Sequence, residues 1–220
     1  MKVILSLSGG LDSTCLLSRL FKQVEVLPVI FSYGSKHNRY ENEAAYMVCK
    51  YYDLKPLHIE LDQVMVEFRS NLLKTGGEIP EGHYSAPSMS QTVVPARNLI
   101  FISILAGLAE SNDAQKVALA VHAGDHHIYP DCRPEFVKSA DKTVSLATDG
   151  KVSLMAPFLM MSKGEVLKEG LVERAPVHLT RTCYKDQLIA CGKCGSCVER
   201  LEAFQQCGMK DPIDYAEDAK

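Results

Sequence analysis

Residues 5–14 read LSLSGGLDST, and no other stretch constrains the fold as tightly. An apolar run, Val3 to Leu7, ends in two adjacent glycines and is followed at once by a helical pattern. A strand that passes into a helix through such a turn lets backbone N–H groups approach an anion closely, with the positive end of the helix dipole behind them. Ser8, Ser13 and Thr14 add hydroxyl donors around Gly9 and Gly10. The lysine that ends a Gly-x-x-x-x-Gly-Lys-Ser/Thr nucleotide loop is missing. Asp12 would repel a phosphate unless a divalent cation stood between them, which assigns it to Mg2+.

Further strand-like runs cover Val24 to Phe31, Pro56 to Leu61 and Val117 to Val121, with helical patterns between the first three strands. That alternation predicts an α/β fold, a parallel sheet with crossover helices. The first helix is expected to begin near Ser13, with Leu16, Leu17 and Leu20 on one face, and the second near Asn42. Positions 70–92 are rich in Gly, Pro, Ser and Met without a period, and read as a long loop with the makings of a lid. Asn98 to Leu108 is apolar on every face, the pattern of a centrally buried helix. Ser162 is placed to N-cap a helix carrying Lys163 and Glu165 in its first turn.

Size and charge narrow the function classes. With 220 residues, 46% of them hydrophobic, the chain suffices for one substantial core. A net charge of −3 argues against a broad nucleic-acid surface and favours a small-molecule partner. The longest apolar stretch, LIFISILAGLA from Leu99, falls short of the roughly 20 residues that cross a bilayer. The apolar run at the N-terminus enters a glycine loop and reads as a strand rather than a signal peptide. A cytoplasmic protein with no membrane and no nucleic-acid partner is expected.

Of eight cysteines, four fall at Cys183, Cys191, Cys194 and Cys197. Two-residue spacings let a tight turn present successive thiolates to one ion, and Gly192 and Gly195 supply a permissive backbone. Four thiolates leave no open position, so a Zn2+ here would be structural; an iron–sulfur cluster is the competitor. Lys185, Lys193 and Arg200 would offset the charge of a zinc tetrathiolate. Cys15, Cys49 and Cys207 lie in helical patterns as core or surface residues. Two units follow, residues 1–178 for nucleotide and substrate and a metal-stapled tail, 179–220.

In VVPARNLIF, Arg97 stands at the entrance of the apolar helix, beside Asn98. Its planar fork suits a carboxylate or phosphate of a ligand, or else a carboxylate of the protein. HAGDHHIYPDCRPEF follows the fourth strand, where open parallel sheets gather ligands. His122, Asp125, His126 and His127 are too close in sequence to converge readily on one metal, so hydrogen bonding is the preferred role. Tyr129, Asp131 and Arg133 offer an aromatic face, an acceptor and a forked donor suited to a purine-like ring. The neighbouring Arg133 would lower the thiol pKa of Cys132, although no general base for a nucleophile is evident. Lys163 is either a surface lysine or a second phosphate contact.

The loop SGGLDST resembles the pyrophosphate loop of the N-type ATP pyrophosphatases, which split ATP between its α and β phosphates. With YGSKHNRYE, VPARN, YPDCRPEF, PFLMMSKGE and the cysteine tail ending KDPIDY, the resemblance narrows to the QueC family of 7-cyano-7-deazaguanine synthases and spans Val3 to Tyr215. It implies a Rossmann-like parallel sheet with helices on both faces, of the adenine nucleotide alpha hydrolase-like kind, a structural Zn2+ and a homodimer. It also implies a C–N ligase that converts 7-carboxy-7-deazaguanine and ammonia to the nitrile with two ATP and Mg2+.

Carried onto this chain, the resemblance assigns ATP binding to Leu7, Ser8, Gly9, Gly10, Leu11, Asp12, Ser13, Thr14 and Tyr33. Substrate binding falls to Arg97, Asn98, His122, Asp125, Tyr129, Asp131 and Arg133, and catalysis to Asp12, Arg97 and Lys163. The four clustered cysteines become the metal ligands. The chain departs from the family pattern at Ala96 and Ala120, where glycine is common. QueC-like relatives in phages and antiphage systems divert the activated carboxylate to other acceptors, including a protein amine, or stop at the amide. A tRNA-thiolating enzyme would keep the adenylation and change the substrate, and a nucleotide-binding module would keep the loop without turnover.

Overall fold

Side chains along β1 (Lys2–Ser6) alternate between two hydrophobic clusters, Val3 and Leu5 entering one and Ile4 the other. Successive side chains of a strand point to opposite faces, so a strand apolar at three consecutive positions must be covered on both. In the computed structural model, which describes residues 1–217, an all-parallel sheet achieves this. Its order is β3-β2-β1-β4-β5, with β2 at Glu25–Ser32, β3 at Leu57–Glu60, β4 at Lys116–Ala118 and β5 at Ser153–Met155.

The helices are α1 (Leu11–Phe21), α2 (Asn38–Tyr51), the single turn α3 (Asp62–Met65), α4 (Arg97–Ser111), α5 (Pro134–Ala147), α6 (Lys163–Val172) and α7 (Gly195–Gln206). On one face of the sheet Leu16 and Leu17 of α1, Ala45 and Val48 of α2, Val166 and Leu167 of α6 and Ala203 and Phe204 of α7 join Val3 and Leu5. On the other, Phe101, Ile102 and Leu105 of α4 and Val137, Ala140 and Val144 of α5 cover Ile4, Val29 and Val117. The strand order runs outward in both directions from β1 and β4, and the crevice at such a reversal, beyond the carboxyl ends of the strands, is where this architecture takes ligands.

Several details differ from expectation. Helix α1 begins at Leu11, directly after the glycine pair, and α2 at Asn38, because the Asn38 side chain closes the preceding turn by accepting the Tyr33 N–H at 2.9 Å. Strand β4 ends at Ala118. The short β5 was not among the strands expected; three residues carry too little pattern to stand out.

Helix α4 is buried on one face only. Leu99 is 44% exposed, and Ile100, Ile104 and Leu108 are half-buried. The segment 70–92 is a packed wall rather than a free lid. Leu72, Leu73, Tyr84 and Met89 are buried, Asn71 N–H donates to Gln91 O at 2.8 Å, and Glu81 pairs with Cys194 in a β-bridge. Within the expected unit 179–220, positions 218–220 lie outside the described residues. The rest packs on the first unit, with Ala203 and Phe204 in the same core as α1.

Candidate functional site

A cavity opens at the carboxyl ends of β1, β2 and β4, and the glycine loop forms its floor. Ser8, Gly10, Leu11, Asp12 and Ser13 line it together with Leu7, and Ala120 and Val121 close it from the end of β4. Gly9 adopts φ +79°, and a Cβ there would lie 2.4 Å from Glu41 O, so only glycine lets the loop rest on α2. Ser8 and Ser13 brace the turn: Gly10 N–H donates to Ser8 Oγ at 3.1 Å, and Ser8 N–H to Ser13 Oγ at 3.2 Å. Gly10 is the N-cap of α1 and supplies no side-chain acceptor, so the first-turn N–H groups have no side-chain cap. Thr14 is fully buried with its hydroxyl unpartnered and, like Gly9, does not line the cavity.

Beside the loop lies a buried ion cluster. Lys163 Nζ is 2.8 Å from Asp12 Oδ2 and 3.1 Å from Glu199 Oε2. Lys163 is only 8% exposed. Burial by itself would drive the lysine to lose its proton, but Asp12, Glu199 and Asp125 reverse that and raise its pKa. Burial likewise opposes ionisation of Asp12, yet Lys163 and His122 hold its carboxyl below the ordinary value. At Glu199 the balance falls the other way, and burial lifts its pKa despite Lys163.

His122 Nδ1 accepts the Gly124 N–H at 3.1 Å, and Nε2 lies 3.5 Å from Lys163 Nζ. That nitrogen stands 3.8 Å from both Asp12 Oδ2 and Asp125 Oδ2. His122 therefore faces the ion cluster and is not part of the cavity lining. His126 and His127 join no cluster of metal-ligating side chains among the described residues.

The opposite wall is aromatic. Tyr33, Tyr84, Phe101, Tyr129 and Tyr184 line it together with Arg97. The Arg97 guanidinium lies 5.7 Å from the centre of the Tyr33 ring and 6.0 Å from that of Tyr129, and its Nη1 donates to Tyr33 Oη at 3.4 Å. Among the described residues no carboxylate lies within 4.0 Å of it, so the reading of Arg97 as half of a protein ion pair falls away. Burial raises the phenol pKa of Tyr33 to about 12 and holds that of Tyr84 well above its ordinary value, so both keep their protons as hydrogen-bond donors. Tyr84 Oη donates to Asp125 Oδ1 at 3.0 Å.

Asn98 lines the cavity, but Asp131 and Arg133 do not. Asp131 Oδ2 accepts the Asn98 N–H at 2.8 Å and thereby caps the start of α4, while the exposed Arg133 donates through Nε to His126 O at 3.0 Å. Cys132 is buried, and burial pushes its thiol pKa up, against the lowering expected from Arg133. Asn98 Nδ2 donates to its sulfur at 3.1 Å. It is a wall residue, not an activated nucleophile.

The cysteines come together as their spacing requires. The sulfurs of Cys183, Cys191, Cys194 and Cys197 all lie within 4.8 Å of one another, with Cys191 and Cys197 4.0 Å apart. Zn–S bonds of about 2.3 Å in a tetrahedron require sulfurs about 3.8 Å apart, so the four fit zinc. Backbone N–H groups of Cys191 and Cys194 point at sulfurs of the cluster at 3.3 Å each, which suits thiolates.

Sequence reasoning missed Glu199, His37, Glu41, Tyr84, Thr182, Tyr184 and Ser196. His37 and Glu41 line the cavity and pair with each other at 3.2 Å; both lie in the quoted motif YGSKHNRYE. Tyr84 was concealed in the irregular segment. Glu199 carried no local signal beyond standing two residues after the last clustered cysteine.

Comparison with known proteins fits this geometry. A family profile described as queuosine biosynthesis protein QueC matches residues 2–208. The chain belongs to the QueC family. A 7-cyano-7-deazaguanine synthase of Methanoregula boonei is 42% identical over 216 residues, 98% of this chain and 99% of its own length. Another, from a Marinomonas species, is 40% identical over 215 residues, covering 97% of this chain and 98% of that protein. The solved structure of NMN synthetase from Francisella tularensis shares the fold with a TM-score of 0.52 at 14% identity, over 94% of this chain and 77% of that one. The QueC match runs from the first strand through the whole of α7 and so takes in the glycine loop, the aromatic wall and the cysteine cluster together.

Ala96, where the resemblance leads to an expectation of glycine, occupies a strained point of the backbone. Residue 96 is the N-cap of α4 and adopts φ +53°, a left-handed conformation that glycine takes freely and alanine takes with strain. No helix among the described residues is long and apolar enough to cross a membrane.

Proposed function

We propose that the protein is an ATP-dependent C–N ligase that converts 7-carboxy-7-deazaguanine and ammonia to 7-cyano-7-deazaguanine, the activity its QueC relatives are named for. The observation that carries this reading is Arg97. It is a guanidinium without a carboxylate partner, held over two tyrosine rings, in the cavity whose floor is an anion-binding glycine loop. A planar acid seated among the aromatics would bring its carboxylate to the arginine fork and face the loop.

A carboxylate is a poor electrophile, and oxide cannot leave. Attack of a carboxylate oxygen on the α phosphorus of ATP breaks the bond to the β phosphate, and pyrophosphate departs onto the N–H groups and hydroxyls of the glycine loop. Ammonia then adds to the acyl carbon and AMP leaves, which gives the amide and releases a proton. A second adenylation, now on the amide oxygen, and elimination of AMP with the remaining N–H protons yields the nitrile. Both rounds need the same ATP geometry and the same charge stabilisation, so one cavity suffices.

Within this reading Leu7, Ser8, Gly9, Gly10, Leu11, Ser13, Thr14 and Tyr33 form or support the ATP site. Arg97, Asn98, Tyr129 and Asp125 face or flank the second substrate, while His122, Asp131 and Arg133 brace the elements around it. Asp12 Oδ1 is buried and unpartnered, a fitting ligand for Mg2+, which would screen the phosphates. Lys163 stabilises charge as pyrophosphate leaves. The cysteines hold Zn2+ as a structural ion. A second copy in a homodimer would give the half-exposed outer face of α4 a partner, and the cytoplasm, where thiolates stay reduced, suits the cluster.

Mass spectrometry of the products from 7-carboxy-7-deazaguanine, ATP, Mg2+ and ammonia tests the proposal. The nitrile with two AMP per turnover is expected. Accumulation of the amide with one AMP would favour an enzyme that stops after the first round, and absence of AMP would overturn the reading.

A further inference from the structure

The fold gives Lys163 two carboxylate partners, the first of them Asp12 in the loop. The second, Glu199, arrives from the opposite end of the chain on α7. That helix grows out of the cysteine cluster: Cys194 is its N-cap and Cys197 its third residue. The next residue after Glu199, Arg200, is wholly buried and locks the helix in height and rotation. Its Nε and Nη2 grip Asp211 at 2.6 and 2.9 Å, its Nη1 meets Thr180 Oγ1 at 2.6 Å, and its Nη2 also reaches Val177 O at 3.1 Å. Glu199 is therefore fixed between a metal-ligand turn and a buried arginine anchor.

From there Glu199 reaches the active centre at two points. Its Oε2 lies 3.1 Å from Lys163 Nζ. Its Oε1 rests against the turn that orders His122 and Asp125, where a Cβ on Gly124 would come within 2.4 Å of it.

The proposed chemistry sets Asp12 two tasks that compete. Its Oδ2 holds Lys163 at 2.8 Å, while a divalent cation on the phosphates, held by the free Oδ1, would draw on the same negative charge. A buried ammonium that must share its nearest carboxylate with a cation is poorly compensated, so with Asp12 as its sole contact the lysine would oppose the cation.

We infer that Glu199 is a positioning residue that balances Lys163 when a cation draws on the charge of Asp12, and that the cysteine-cluster helix thereby reaches directly into the ATP site. The inference rests on the adenylating reading above. It assigns α7 a part in the reaction beyond stability, because whatever ion the cysteines hold fixes the helix from which Glu199 acts.

The test is ATP binding by titration calorimetry across a range of Mg2+ concentrations, alongside AMP formation and metal content of the purified chain. In Glu199→Gln the Mg2+ concentration for half-maximal ATP binding should rise by about tenfold, since a buried charge beside Lys163 is lost, with zinc content unchanged. Glu202→Gln removes a charge one turn along the same helix, where the half-buried Glu202 pairs with His83 at 3.4 Å, away from Lys163, and should leave that concentration where it was. If Glu199→Gln cannot be recovered folded, Glu199→Asp, which keeps the charge but withdraws it by one methylene, should show the same rise. An unshifted Mg2+ dependence in a wild-type-like binder, or a loss of affinity equal at every Mg2+ concentration, overturns the inference alone. Failure of the wild-type chain to bind ATP at any Mg2+ concentration overturns the adenylating reading together with it.

Discussion

Lys163 Nζ lies 2.8 Å from Asp12 Oδ2 across 151 residues of sequence, joining the start of α6 to the glycine loop. Helices α1 and α6 pack side by side in one core, and both polar residues stand in the first turn of their helices. The pair is the point where the loop's chemistry and the rest of the cavity meet.

Asp12→Asn should abolish most AMP formation, by about 100-fold or more, because a neutral amide serves a cation on phosphate poorly. The same substitution should cost about 1 to 3 kcal/mol of unfolding free energy, measured with denaturant, since it weakens a buried charged contact. Asp12's carboxyl is held below its ordinary value of 3.8 in the fold. A depressed carboxyl stabilises the fold above its unfolded pKa, and that contribution is lost as pH falls through the folded pKa. Denaturation curves from pH 6 downward should therefore show an acid-side loss of stability in the wild type that is smaller in Asp12→Asn.

Arg97→Lys keeps the charge and removes the planar fork. If the arginine orients a carboxylate at two points while lying over Tyr33 and Tyr129, kcat/KM for the carboxylate substrate should fall by about 100-fold. KM for ATP should change little. Turnover near the parent rate would mean that charge alone matters at this position.

Cys194→Ser should lower bound metal, melting temperature and AMP formation together. Cys194 is a ligand candidate, the N-cap of α7 and the β-bridge partner of Glu81, so its loss loosens both Glu199 and the wall that carries Tyr84. Elemental analysis should find less than one zinc per chain. Stoichiometric iron in the wild type, with its visible absorbance, would replace zinc by a cluster.

Ala96→Gly should stabilise the chain by about 0.5 to 1 kcal/mol in denaturant unfolding. Relief of a left-handed alanine, worth about 1 to 2 kcal/mol, outweighs the extra entropy of glycine in the unfolded chain. A destabilised variant would show that the φ of +53° at this N-cap carries little strain.

The sequence alone determined the features that depend on short spacings. Strand, glycine pair and helix at positions 3–20, the cysteine quartet, and the Ser162–Glu165 capping box with its mutual hydrogen bonds are each set within a few residues, where backbone geometry leaves little choice. The family followed from the order of those motifs along the chain. Only the tertiary structure decided the rest. Periodicity could not say that α4 is covered on one face alone, since a uniformly apolar helix looks the same whether or not both faces are packed. Composition could not show that the Gly- and Pro-rich segment is clamped between the turn before α2, where Ser35 bridges Leu73, and the cysteine turn. Above all, Asp12, Lys163 and Glu199 sit on three different helices, and their meeting depends on how α1, α6 and α7 pack beside one another. Buried charges attract wherever packing brings them together, and no spacing within the sequence encodes that distance.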